Sequence, residues 1–148
     1  MSKIERSALV HYSAEEMYQL VNRVDRYHEF LPWCRSSKVI SESDDEMVGS
    51  VEMARGVLNK TFTTRNRLQA GRRIDIELVD GPFSKLQGYW SFEPLKTENA
   101  CRISLNLEFE FDSAMISIAA KPVFTQIANS LVDAFTKRAV EVYGERSL

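Results

Sequence analysis

Four side chains are of the kind that hold metals or act as nucleophile and base: His11, His28, Cys34 and Cys101. Zinc sites place such ligands in close pairs a few residues apart, whereas these four stand in unrelated contexts, so their spacing predicts no metal centre. No phosphate-cradling glycine loop or nucleophile elbow occurs, and neither histidine has a neighbour that marks it as a general base. Asp75 and Glu77 put two carboxylates on one strand face, but it is the polar face, where carboxylates are solvated rather than catalytic. No residue is assigned a catalytic role.

The remaining candidates concern binding. Leu86, Gly88, Trp90 and Phe92 occupy every second position of a strand and so point the same way, as an apolar wall with a gap at the glycine. Either a ligand or another part of the chain sits in that gap. Phe62 and Leu68, on another strand, face the same space, and Trp33, just after Pro32, is placed at its mouth. Inward aromatic residues also build ordinary cores, so wall and core both remain readings of Trp90 and Phe92. Arg138 interrupts an apolar helical stripe, where its guanidinium reaches either a ligand headgroup at the rim or an internal carboxylate. Arg65, Arg67, Arg72 and Arg73 cluster around one hairpin bend, either as a solvated surface or as a dock for RNA phosphates or anionic headgroups.

The elements that position these residues follow from periodicity. Residues 3–12 read as a first strand. Ser13 and Glu16 have capping-box spacing ahead of a helix whose apolar face is Met17, Leu20, Val21 and Val24. Asp25 opens a second short helix that Pro32 ends. Strand-like segments follow at 34–42, 47–55, 60–69, 72–79, 86–93 and 101–111, separated by turn signals such as Ala70-Gly71 and Gly81-Pro82. The last alternates most cleanly, with Cys101, Ile103, Leu105, Leu107, Phe109 and Phe111 on one face. Phe124, Ile127, Ala128, Leu131 and Phe135 then make the apolar stripe of a long C-terminal helix, and Phe124, Ile127 and Leu131 are its candidates for facing a ligand. Pro122 biases Lys121 away from helical geometry, so 113–120 is expected as a separate turn ahead of that helix, free to act as a lid.

A chain of 148 residues is the size of one ordinary domain, here 1–148, and buries a core without disulfides or metals. Net charge of −2 argues against coating nucleic acid or anionic membrane through bulk charge. The N-terminus lacks the apolar run of a signal peptide and no segment reads as a membrane span, so a cytoplasmic protein is expected, with peripheral contact at the inner membrane left open.

Strand, two short helices, a sheet meander and a long closing helix, together with "YHEFLPWC" (27–34), "GPFSKLQGYWSFEPL" (81–95) and "PVFTQIANSLVDAFTKRAVEVYG" (122–144), resemble the START-like, polyketide cyclase-like superfamily. The match is closest to the branch that holds the coenzyme Q-binding proteins and the ribosome association toxins. The resemblance implies an α+β helix-grip fold: a curved antiparallel sheet of six to seven strands wrapped around the C-terminal helix. It also implies a cavity between them for ubiquinone or another polyisoprenoid lipid, bound without catalysis and without a required cofactor, in support of respiratory electron transport. The alternative it implies is a toxin that binds the large ribosomal subunit and inhibits subunit association.

Overall fold

The alternation read in the last strand places it near the edge of a seven-stranded antiparallel sheet. In the computed structural model, which describes residues 2–97 and 99–146, β1 (Ser2–Val10) lies beside β7 (Cys101–Phe111), and the meander β2 (Cys34–Glu42), β3 (Glu46–Arg55), β4 (Leu58–Gln69), β5 (Arg73–Asp80), β6 (Phe83–Pro94) completes the order β1-β7-β6-β5-β4-β3-β2. Cys101, Ile103, Leu105, Leu107 and Phe109 are buried, while Arg102 and Glu110 are exposed. Short turns give antiparallel neighbours, and the register keeps the inward residues of β6 and β7 opposite one another: Leu86 pairs with Phe109, and Trp90 with Leu105.

Helix α1 (Ala14–Asn22) starts as its sequence demands. The Glu16 amide donates to the Ser13 hydroxyl at 3.1 Å, and the Ser13 amide donates to the Glu16 carboxylate at 2.9 Å. The second short helix is a 3-10 turn, Val24–Glu29, six residues long and without a side-chain cap. Residues 113–120 form turns as expected, but Lys121 is already the first residue of the long helix, because a proline in the first turn is tolerated there and does not keep its neighbour out of helical geometry. Ile116 is buried there, while Ile118 is 85% exposed.

Helix α2 (Lys121–Tyr143) takes Pro122 in its first turn, where a missing amide hydrogen costs nothing, and ends at Gly144 with φ of 85°. It lies across the inner face of the sheet and splits the core into two clusters. One gathers Phe83, Phe109 and Phe124 with Leu58 and Met53. The other sits under α1 and joins Met17, Phe92, Ile103 and Phe135. The C-terminal end is fastened to α1: Arg146 donates to both carboxylate oxygens of Glu16 at 2.7 and 2.8 Å, and the Tyr143 hydroxyl donates to the Glu16 carbonyl at 3.0 Å.

Candidate functional site: a cavity under the long helix

Between the inner sheet face and α2 the two clusters leave a cavity of about 110 Å³. Its floor comes from alternate residues of neighbouring strands: Val51 and Met53 of β3, Phe62 of β4, Ile74 and Ile76 of β5, Leu86 and Trp90 of β6. Phe124, Ile127, Ala128, Leu131 and Phe135 of α2 roof it, and Val24, Tyr27 and Trp33 close one end. The sequence-derived candidates Trp33, Phe62, Leu86, Trp90, Phe124, Ile127 and Leu131 are therefore brought together. Trp90 and Phe135 meet edge to face at 5.4 Å, giving the cavity a rigid aromatic corner.

Three candidates lie elsewhere. Gly88 does not line this cavity: a β-carbon built on it would collide with the Asn106 carbonyl oxygen and lie 2.9 Å from the Leu107 Cα, so the backbone of β7 occupies the gap. Phe92 is two residues further along β6, past the cavity and under α1, where it packs edge to face on Tyr18 at 5.7 Å and is 1% exposed. Arg138 is held in an ion pair at the surface: its Nη2 donates to Glu29 Oε1 at 2.8 Å, and its guanidinium covers the Phe30 ring at 4.8 Å. The apolar stripe carried it inward only as far as the 3-10 turn, whose carboxylate and ring meet it there.

Sequence reasoning missed the polar part of the lining. Thr64 and Asn66 lie on the inward face of β4 between Phe62 and Leu68, and both line the cavity. Asn66 is 8% exposed, and its Oδ1 accepts the Thr64 hydroxyl at 3.0 Å. The signal was present in the period of two through "FTTRNRL", but two polar residues on an inward face break the alternation that marks a dry wall. Tyr27 was also missed. Its hydroxyl donates to the Val21 carbonyl, and burial pushes its phenol above the ordinary tyrosine range, so it is a neutral, committed wall residue.

On the outer face the arginine cluster is partly neutralised. Arg65 Nε lies 2.6 Å from Glu46 and its Nη1 3.8 Å from Glu77, and Arg73 lies 3.0 Å from Asp75 while stacking on Tyr89 at 3.8 Å. The two carboxylates considered for catalysis are the partners of these arginines. Arg67 and Arg72 are exposed and have no ion pair among the described residues. Both cysteines are buried, and burial pushes the Cys101 thiol up to about 11. Among the described residues no three histidine, cysteine or carboxylate side chains converge as a metal site would require, and no helix is long and apolar enough to cross a membrane.

A curved antiparallel sheet gripping one long helix over an apolar cavity is the START-like, helix-grip architecture. The chain belongs to the family described as polyketide cyclase / dehydrase and lipid transport, whose pattern matches residues 10–136. It is 50% identical over 145 residues, 98% of this chain and 100% of the other, to the ribosome association toxin RatA of Vibrio cholerae. It is 25% identical over 136 residues, 90% of this chain and 66% of the other, to the mitochondrial coenzyme Q-binding protein COQ10 of Dictyostelium discoideum. The crystal structure of the ZhuI aromatase/cyclase from Streptomyces sp. R1128 superposes with a TM-score of 0.79 over 98% of this chain and 99% of that one; at 15% identity the likeness is one of fold.

Proposed function

We propose that the protein is a ribosome-associating factor that acts without catalysis, binding the large subunit and hindering subunit association, and that it works in the cytoplasm, where ribosomes are. The observation that carries this reading is the 50% identity to a ribosome association toxin along 98% of this chain and 100% of the other. The geometry is compatible with it. Arg67 presents unneutralised charge on the outer sheet face, and Arg72 lies exposed in the turn between β4 and β5; each can neutralise an RNA phosphate. The test is co-sedimentation of the purified protein with ribosomes through sucrose at several salt concentrations. Salt-dependent pelleting with the large subunit supports the reading, and protein that stays in the supernatant at low salt removes it.

The cavity favours a second reading that does not compete for the same surface: binding of a small hydrophobic molecule. Pockets that bury drug-sized ligands run to roughly 300–1,000 Å³, against about 110 Å³ here. An apolar cavity that holds a benzene measures about 150 Å³, so neither a substituted quinone ring nor a polyisoprenoid tail fits with α2 where it lies. Ubiquinone would therefore enter only if α2 moved away from the sheet.

A further inference from the structure

A surface groove runs between α1, the 3-10 turn and the C-terminal part of α2, and among the described residues it shares none of its lining with the cavity under that helix. Leu20, Phe30, Val142 and Tyr143 give it apolar and aromatic walls. Among the described residues its charged lining is three arginines, Arg23, Arg26 and Arg138, against one carboxylate, Glu29. Glu29 is shared, at 2.7 Å from Arg26 Nη1 and 2.8 Å from Arg138 Nη2. Asp25 and Glu141 come only to 3.6 and 3.7 Å from Arg23 and Arg138, and neither lines the groove. Arg138 lies over the Phe30 ring at 4.8 Å, so one guanidinium plane is already fixed on an aromatic face. Arg23 and Arg26 remain half exposed at the rim.

We infer that this groove receives an unpaired nucleotide of RNA, with the base against Leu20, Val142 and the Tyr143 ring and the flanking phosphates on Arg23 and Arg26. The inference rests on the ribosomal reading above and names the kind of RNA that reading engages. Unpaired bases are what aromatic rings and guanidinium planes recognise by stacking, whereas a duplex keeps its bases inside. Arginine suits the phosphates because its planar fork meets two oxygens at once. The groove measures about 230 Å³, more than the cavity of about 150 Å³ that holds a benzene, so a flat ring has room. Its position also continues the surface proposed for RNA. The β4–β5 turn that carries Arg72 abuts the start of α1, where a β-carbon on Gly71 would stand 2.5 Å from Glu15 Oε2. Gln19 donates to Glu15 at 2.8 Å and Arg23 follows four residues later, so by the rise of a helix the groove begins about 12 Å from that turn. One RNA segment can touch both. An acidic segment of a protein would also meet the arginines, and the experiment separates it from RNA.

Val140 and Val142 supply the test, because both are exposed on α2, at 39% and 49%, and of the two only Val142 lines the groove. Val142→Glu puts a carboxylate into the groove, whereas Val140→Glu makes the same charge change on another side of the helix. Wild type and both variants, their folding checked by melting temperature, are measured for co-sedimentation with large ribosomal subunits. Each is also titrated, by fluorescence anisotropy at one salt concentration, into a short single-stranded RNA of mixed sequence and a duplex with the same number of phosphates. Wild type and Val140→Glu are expected to bind the single strand about tenfold more tightly than the duplex. Val142→Glu is expected to lose that preference and to need about tenfold more large subunit for half-maximal pelleting. Absence of a strand preference in the wild type, which is read without any variant, overturns the inference, as does a Val142→Glu protein that keeps the preference. Large subunits that still pellet the wild type then leave the ribosomal reading standing. A Val142→Glu protein that loses the subunit while binding both RNAs as Val140→Glu does assigns the groove to an acidic protein segment and also overturns the inference. A wild-type protein that ignores the subunit at low salt, yet shows a strand preference that Val142→Glu abolishes, supports the nucleotide site and removes the ribosomal reading alone.

Discussion

A β-carbon on Gly88 would run into the carbonyl oxygen of Asn106 on the neighbouring strand, with the Leu107 Cα only 2.9 Å away. Backbone, unlike the tip of a flexible side chain, does not give way. The glycine is there so that β6 and β7 can approach, and any side chain at this position must part the strands that carry Trp90 and Leu105. Gly88→Ala is expected to destabilise by about 1–3 kcal/mol, and Gly88→Val by more, in denaturant melts. Neither is expected to change ligand affinity per folded molecule. A Gly88→Val protein of normal stability that no longer binds a small apolar probe such as xenon would return Gly88 to the cavity wall.

The arginine cluster divides into compensated and uncompensated members. Arg65 and Arg73 have carboxylate partners, whereas Arg67 and Arg72 do not among the described residues. Arg67→Gln with Arg72→Gln is expected to weaken ribosome co-sedimentation and to lower the slope of log affinity against log salt by roughly 0.7–0.9 for each lost phosphate contact. Arg65→Gln with Arg73→Gln should have a smaller effect on the slope. Equal slopes for the two double variants would show that the pairing in the free protein does not decide the contacts.

Glu16 links acid stability to the C-terminal fastening. The hydrogen bonds from Arg146 come first among the causes that lower its carboxyl from 4.5 to about 2, with the Ser13 backbone and hydroxyl adding to them against the cost of burial. A depressed carboxyl contributes stability above its unfolded value and loses it as pH falls through the folded one. Both partners remain partly exposed, at 35% for Arg146 and 27% for Glu16, so Arg146→Gln is expected to be less stable than wild type at pH 7 by a small gap that added salt narrows. It should hold down to about pH 5 and shrink toward pH 2. A gap independent of pH across that window would mean that the contribution of Arg146 is packing on Tyr12 and Tyr143 rather than charge.

Ala128 separates the cavity from the outer surface as functional elements. It lies in the cavity roof at 2% exposure, so Ala128→Leu adds three carbons to empty space rather than to packed atoms. Stability should change by less than about 1 kcal/mol, below the usual cost of overpacking, while binding of a small apolar probe such as xenon is lost and ribosome co-sedimentation is retained. Loss of both activities in a normally stable protein would tie ligand and ribosome binding together.

Much of this arrangement was legible in the chain. The alternation through 101–111, the Ser13–Glu16 box and the stripe from Phe124 to Phe135 are local patterns, and they yielded the sheet, the first helix and the roof. Strand starts were less legible: β4 begins at Leu58 rather than Lys60, and β6 at Phe83 rather than Leu86, because pairing across the sheet extends strands past their clearest alternation. The errors at Gly88, Phe92 and Arg138 share a cause. Each residue was on the right face of the right element, but its neighbour came from a segment distant in sequence: the β7 backbone, Tyr18 of α1, and Glu29 of the 3-10 turn. Face is set by local period, whereas position along the face is set by tertiary packing.

Subunit joining itself gives the most direct measurement. Purified small and large ribosomal subunits are mixed in magnesium buffer and their association followed by light scattering, with increasing amounts of the wild-type protein or of the Arg67→Gln, Arg72→Gln variant preincubated with the large subunit. The expected result is a slower and smaller rise in scattering with wild-type protein, graded with its concentration, and a shift to higher concentration for the variant. A trace unchanged by a large molar excess of folded wild-type protein would contradict the ribosomal role.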